Sequence, residues 1–183
     1  MDLARRRIFI VPTRRDLDVA AAIGHWTGRH GEIFGATPEV GAYVQHQPSW
    51  ADQERLGGIV CSEISFPDRE TERRAFTCEY YETNVAPDEA SFLERSDPYM
   101  PLIRSSEVIG DSAGDAEVLV FGWDGGGLPS GLAAEICELD REGPRGGPAR
   151  LLMIRTSTGG RAQELAADLR GDIVFAARRV VIV

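Results

Sequence analysis

The chain has 183 residues, 43% of them hydrophobic, and a net charge of −9. That length suffices for one sizeable domain or two small units sharing a core. The acidic balance excludes a basic face for nucleic-acid phosphates. There is no lysine, so Schiff-base chemistry and the Gly-Lys-Ser/Thr phosphate loop are excluded as well. No apolar stretch approaches the ~20 residues of a membrane span. The apolar run after Arg5, Arg6 and Arg7 stops at Pro12, short of a secretory signal. These features predict a cytoplasmic protein with no membrane or nucleic-acid partner. Cys61, Cys78 and Cys137 are odd in number and far apart, which predicts buried thiols rather than a disulfide framework or paired-thiolate zinc site.

In chain order, Arg7 to Val11, closed by Pro12, predicts a first strand. Asp16 is placed to cap a helix running to about Arg29, on which Val19, Ile23, Trp26 and His30 share one face. A second strand follows Pro38; on it Val40, Ala42, Val44 and His46 have one parity, Tyr43 and Gln45 the other. Residues 58–66 predict a third strand. Pro67 and Asp68 open a polar helix with Ala75, Phe76 and Tyr80 at its apolar positions. A short helical piece then carries Phe92 and Leu93, and a strand spans Leu102 to Ile109. The order β-α-β-β-α-β makes residues 1–112 a ferredoxin-like α+β unit. Beyond a Gly/Asp/Ser turn, the expectations are a strand from Glu117 to Trp123 and a helix from Leu132 to Leu139. A Gly/Pro-rich loop at 141–149, a strand at 151–155, a helix at 161–169 and a strand at 178–183 complete the chain. Residues 113–183 therefore predict a shortened second ferredoxin-like unit packed on the first.

Two blocks carry a resemblance. HWTGRHGEIFGATPEVGAYVQHQP (His25 to Pro48) ends a helix in Trp-x-x-x-His and leads through a proline-containing turn to a strand ending Tyr-Val-Gln. Trp26, His30, Tyr43, Val44 and Gln45 occupy those positions. AFTCEYYETNVAPDEASFLE (Ala75 to Glu94) follows an Ala-Phe helix with Asp88, Glu89, Phe92 and Leu93. Together they resemble the EthD-like family of the dimeric α+β barrel superfamily, over about residues 7–110. The resemblance implies an antiparallel sheet paired with another such sheet, in the same chain or in a homodimer, around a cavity for a hydrophobic small molecule. Members of that superfamily include cyclases, dehydratases, decarboxylases, cofactor-free monooxygenases and haem-degrading enzymes, so fold alone does not select the chemistry.

All three histidines, His25, His30 and His46, lie in the first block. Histidine titrates nearest neutrality, which suits a general acid or base, and the resemblance directs attention to His30. The plainer alternative is a core histidine bonded to a carbonyl. Tyr43 either fills the core or offers a hydroxyl to an enolate or phenolate. His46 would assist, and Trp26 would anchor the helix and wall the pocket. His25 lies roughly 140° from His30 on a regular helix, which predicts a rim position and no shared metal. Tyr80, Tyr81 and Tyr99 are candidates for a pocket mouth. Gly125, Gly126 and Gly127, followed by Pro129 and Ser130, depart from G-x-G-x-x-G and read as a loop and cap. The resulting expectation is a lyase or cyclase-type enzyme (aldol, dehydration or decarboxylation) with no cofactor and no metal, acting on an aromatic or polyketide-like molecule. The alternatives are a non-catalytic ligand-binding or accessory protein, and a monooxygenase or haem-binding protein.

Overall fold

The computed structural model describes residues 5–96, 98–110, 114–126, 128, 132–140 and 150–183. The chain divides into two units, residues 1–100 with 180–183 and residues 101–179. The division falls at 100/101 rather than 112/113, so the strand Leu102–Ile109 groups with the second unit.

In the first unit, β1 (Arg5–Pro12), β2 (Ala42–Pro48) and β3 (Ile59–Phe66) form an antiparallel sheet with β3 in the middle. Val183 and Ile182 bond the backbone of Tyr43 along β2. The register places Phe9 opposite Ser62 and Gln45 opposite Ser62. Arg7, Phe9, Val11, Val60, Ser62 and Ile64 therefore share one face with Tyr43 and Gln45. That face lies under the helices. Val11 and Val60 pack with Ala22, Trp26, Phe92 and Leu93, while Tyr43 and Ile64 pack with Phe34, Ala75 and Val85.

The covering helix starts at α1 (Val19–His25), passes through a π-helical turn (Trp26–His30) and continues as α2 (Gly31–Gly35). Its cap is Asp18, whose Oδ1 accepts from Ala21 N at 2.9 Å, and not Asp16, which is bound to Arg14 at 2.7 Å. A helix absent from the sequence reading, α3 (Trp50–Leu56), joins β2 to β3. Ser49 caps it, and Gly57 ends it at φ 73°, the left-handed conformation glycine adopts without strain. Its Gln53 both donates to and accepts from the Ile59 backbone, at 2.9 and 2.8 Å, and so fixes where β3 begins. Asp68 caps α4 (Arg69–Ala75) as expected. A second π-helical turn (Tyr81–Val85) leads into α5 (Ala86–Phe92).

The second unit is a five-stranded antiparallel sheet. Its strands are β4 (Leu102–Ile109), β5 (Ala116–Phe121), β6 (Ala133–Leu139), β7 (Arg150–Thr156) and β8 (Ile173–Val181), in the spatial order β8-β5-β7-β6-β4. One helix, α6 (Gly159–Asp168), packs Ala162 and Leu165 on Val118, Val120, Leu152 and Ile154. Residues 133–139 form β6 where a helix was expected. Alanine and glutamate favour helix, but ladder pairing to β4 and β7 on both sides outweighs that weak preference. The Gly/Pro-rich loop 141–149 lies outside the described residues, as do Gly127, Pro129 and Ser130 of the glycine cluster. Gly126 N–H is already taken by Asp124 at 2.9 Å. No helix among the described residues is long and apolar enough to cross a membrane. Cys61 and Cys137 are buried as expected; Cys78 is half-buried.

The opposite face of the first sheet buries Ile8, Val44, Cys61 and His46. Among them sits Glu63, bound by Arg6 Nε at 2.9 Å, with His46 Nε2 3.6 Å away. Burial pushes this carboxyl up, but His46 and Arg6 outweigh burial and hold it at about 2, against an ordinary 4.5. A depressed carboxylate contributes stability above its ordinary pKa and loses it as pH falls through the native value. Glu63→Gln is therefore expected to cost on the order of 3 kcal/mol at pH 7. Denaturant titrations should show that gap closing as the pH is lowered from about 4.5 towards about 2.

Candidate functional site

A cavity of about 480 Å³ lies in the first unit between the sheet and its helices, within the size range of small-molecule sites. Trp26, Phe9, Phe34, Phe76, Tyr43 and Tyr81 supply its aromatic walls. Its charged or titratable lining is His30, Arg7, Glu72, Glu89 and Arg95. The sheet face under the helices, the one that carries Tyr43, is also the face that lines the cavity.

His30 is 4% exposed. Its Nδ1 lies 2.8 Å from Asp88 Oδ2, while His25 Nε2 lies 2.8 Å from Asp88 Oδ1. One carboxylate on α5 thus holds both imidazoles. The expected angular separation of the two rings fails for a specific reason: they flank the π-helical turn. Hydrogen bonds there run from i to i+5 rather than i+4, so side chains five residues apart come onto one side of the helix. His25 is half-buried within this group and is not among the residues that line the cavity. Phe92 closes it from the side, with ring centroids 4.9 Å from His25 and 5.0 Å from His30.

The π turn needs a partner for its displaced backbone, and Gln45 provides one. The fully buried Gln45 amide donates to Trp26 O at 2.9 Å and to the Tyr43 hydroxyl at 3.1 Å. Its own oxygen accepts from Gln47 at 2.8 Å, which fixes the amide orientation. Gly31 leaves room for this approach, since a Cβ there would come within 3.2 Å of the Gln45 nitrogen. Ser62 and Trp26 also hydrogen-bond the Tyr43 side chain. Burial pushes the Tyr43 hydroxyl up, so it stays protonated and can donate.

A carboxylate only accepts, so Asp88 sets the His30 tautomer with the proton on Nδ1 and the lone pair on Nε2. Burial pushes the His30 pKa down, and Asp88 only partly offsets it. The ring is therefore neutral near pH 7, the state a general base requires.

The cavity thus brings together three of the residues singled out from sequence: Trp26, His30 and Tyr43. It does not include His46, which is 1% exposed, sits on the opposite sheet face and neighbours Glu63. Strand parity alone separates His46 from Tyr43. Tyr81 lines the cavity, whereas the Tyr80 hydroxyl donates to Ile33 O at 3.0 Å and the Tyr99 backbone bridges Ile10. Sequence reasoning gave no role to Asp88, Glu89 or Gln45, although all three stand in the two blocks of resemblance. Among the described residues no group of three or more His, Cys, Asp or Glu side chains could hold a metal ion.

No family model matches the chain, and no curated protein sequence matches it. Solved structures do. An anthrone oxidase-like protein superposes with a TM-score of 0.60 at 12% identity, over 98% of this chain and 90% of that one. A candidate monooxygenase from Lactobacillus acidophilus NCFM superposes at 0.53 and 9% identity, over 100% and 95%. Another from Fusobacterium nucleatum superposes at 0.52 and 6%, over 99% and 93%. At such identities the likeness shows the fold alone: the chain shares the α+β fold of these proteins.

Proposed function

We propose that this protein is an enzyme acting on a hydrophobic aromatic or polyketide-like small molecule by proton transfer beside a carbonyl. In this reading His30 Nε2 takes a proton from a carbon that the carbonyl acidifies, either adjacent to it or conjugated with it through an aromatic ring. The C–H electron pair forms the enolate, and Tyr43 donates to the developing oxyanion. Trp26 and Phe34 hold the flat body of the ligand against the sheet. Aldol, dehydration and decarboxylation chemistry all pass through such an enolate, which makes a lyase or cyclase-type reaction the leading assignment. The observation that carries it is the cavity wall shared by a neutral histidine, held by a carboxylate, and a protonated tyrosine whose hydroxyl accepts from Gln45. A general base of this kind supplies typically ~10²–10⁴-fold, and a positioned oxyanion donor a further ~10²–10³-fold.

The strand order of 101–179 supports the companion proposal that the chain comprises two ferredoxin-like units. Among the described residues no helix stands between the first two strands of the second, β5 and β6.

A second reading is oxygen-dependent. Neighbours of this fold are named as anthrone oxidase-like and as candidate monooxygenases, and an enolate is also what molecular oxygen attacks without help from a cofactor. Anthrone, an enolisable tricyclic ketone, separates the readings. Deuterium exchange at its acidic carbon, followed anaerobically by NMR, tests the shared proton-transfer step. Oxygen uptake with formation of anthraquinone and water identifies the oxygenase. Binding of anthrone and related ketones without exchange or oxidation would sink both and leave a binding protein.

His30→Ala is expected to slow exchange ~10²–10⁴-fold while the far-UV spectrum is retained. Asp88→Asn should act in the same direction, since an amide no longer enforces the tautomer. Tyr43→Phe is expected to slow exchange by about 10²-fold. In contrast, His46→Ala should lower the unfolding midpoint and leave the exchange rate of the folded protein unchanged.

A further inference from the structure

The helix that presents Asp88 to the histidines presents a second carboxyl to the cavity. Glu89, the next residue of α5, lines the cavity wall and is half-buried. Its Oε2 accepts from the Tyr81 hydroxyl at 2.9 Å, so one of its two oxygens is occupied and oriented. Around it stand Asp88 on its own helix, Arg95, and Tyr43 from β2, whose hydroxyl is close enough to feel the Glu89 charge. His30, Arg7 and Glu72 complete the titratable lining of the cavity. The proton-transfer scheme above leaves this carboxyl without a task.

We propose that Glu89 donates a carboxyl proton beside the Tyr43 hydroxyl, so that the two together hold the carbonyl oxygen of an aromatic ketone. The inference rests on the reading of this cavity as the ligand site. Two converging donors grip an oxygen that gains charge far better than one. A carboxylic acid can serve as the second where its surroundings keep it neutral, an arrangement known from ketosteroid isomerase, where an aspartic acid partners a tyrosine. Here burial pushes Glu89 up and Asp88 adds to the effect, while Tyr81 and Arg95 oppose it; the balance is raised. Tyr81 fixes Oε2, which directs the O–H to Oε1.

The test uses 2-acetylnaphthalene as an acceptor-only probe and 2-ethylnaphthalene as its control without the carbonyl. Glu89→Ala is expected to weaken the ketone about tenfold and leave the hydrocarbon unaffected. Glu89→Gln, which keeps a neutral donor, should stay within about threefold of wild type. The infrared carbonyl stretch of the bound ketone should be lowest on wild type and rise in Glu89→Ala. Ketone affinity in wild type should also fall as pH rises through the Glu89 titration, above the ordinary 4.5, and stay flat in Glu89→Gln. That comparison remains decisive if Glu89→Ala does not fold. Equal affinity and equal carbonyl frequency in wild type and Glu89→Ala, or the same pH profile in Glu89→Gln, would overturn the role of Glu89 alone. Binding of neither probe to wild type would overturn the ligand-site reading with it.

Discussion

A single carboxylate shared by two imidazoles organises the candidate site. Asp88 can meet His25 and His30 simultaneously only because the helix between them is wound as a π turn, and that winding is sustained from below by Gln45 on β2. The sheet therefore sets the helix, the helix sets both rings, and the rings set the position of α5. Burial then supplies the chemistry. The same apolar surroundings that keep His30 neutral keep the Tyr43 hydroxyl protonated, the two states that the proposed proton transfer requires.

The two faces of the first sheet give their charged groups different surroundings. On one, Glu63 is ionised and paired with Arg6 near His46. On the other, titratable groups border open volume: burial pushes His30 down and Glu89 up, while Arg7 and Arg5 outweigh burial and hold Glu72 below its ordinary value. Two histidines in the same block of sequence thus have opposite surroundings because one lies on a helix over the cavity and the other on a strand position facing away from it.

Much of the fold was legible. The strands at 5–12, 59–66, 102–109 and 150–156 announce themselves through β-branched runs and flanking turn residues, and α4 through its Asp68 cap. The missed helix α3 also carried its signal, Ser49 three residues before Asp52 with Gly57 at the end. Residues 133–139 misled because their composition favours helix while their neighbours in space impose strand. At the site, Trp26, His30 and Tyr43 were readable from the block that resembles the EthD-like family. The link from His30 to His25 was not, since angular arithmetic assumes regular winding and no residue type marks a π turn. Asp88 and Glu89 were invisible as a pair with separate tasks, because adjacent positions on a helix diverge only once the surrounding walls are known.

The π turn also couples the winding of this helix to the spacing of its two rings. In a regular helix of the same length His25 and His30 would stand roughly 140° apart, and the pair would be lost with every amino acid of the constellation still present. Removing one residue between Trp26 and His30 would restore ordinary winding and leave the rings four positions apart, again on one face. A histidine pair five apart across a π turn and a pair four apart on a regular helix are thus two ways to build one arrangement.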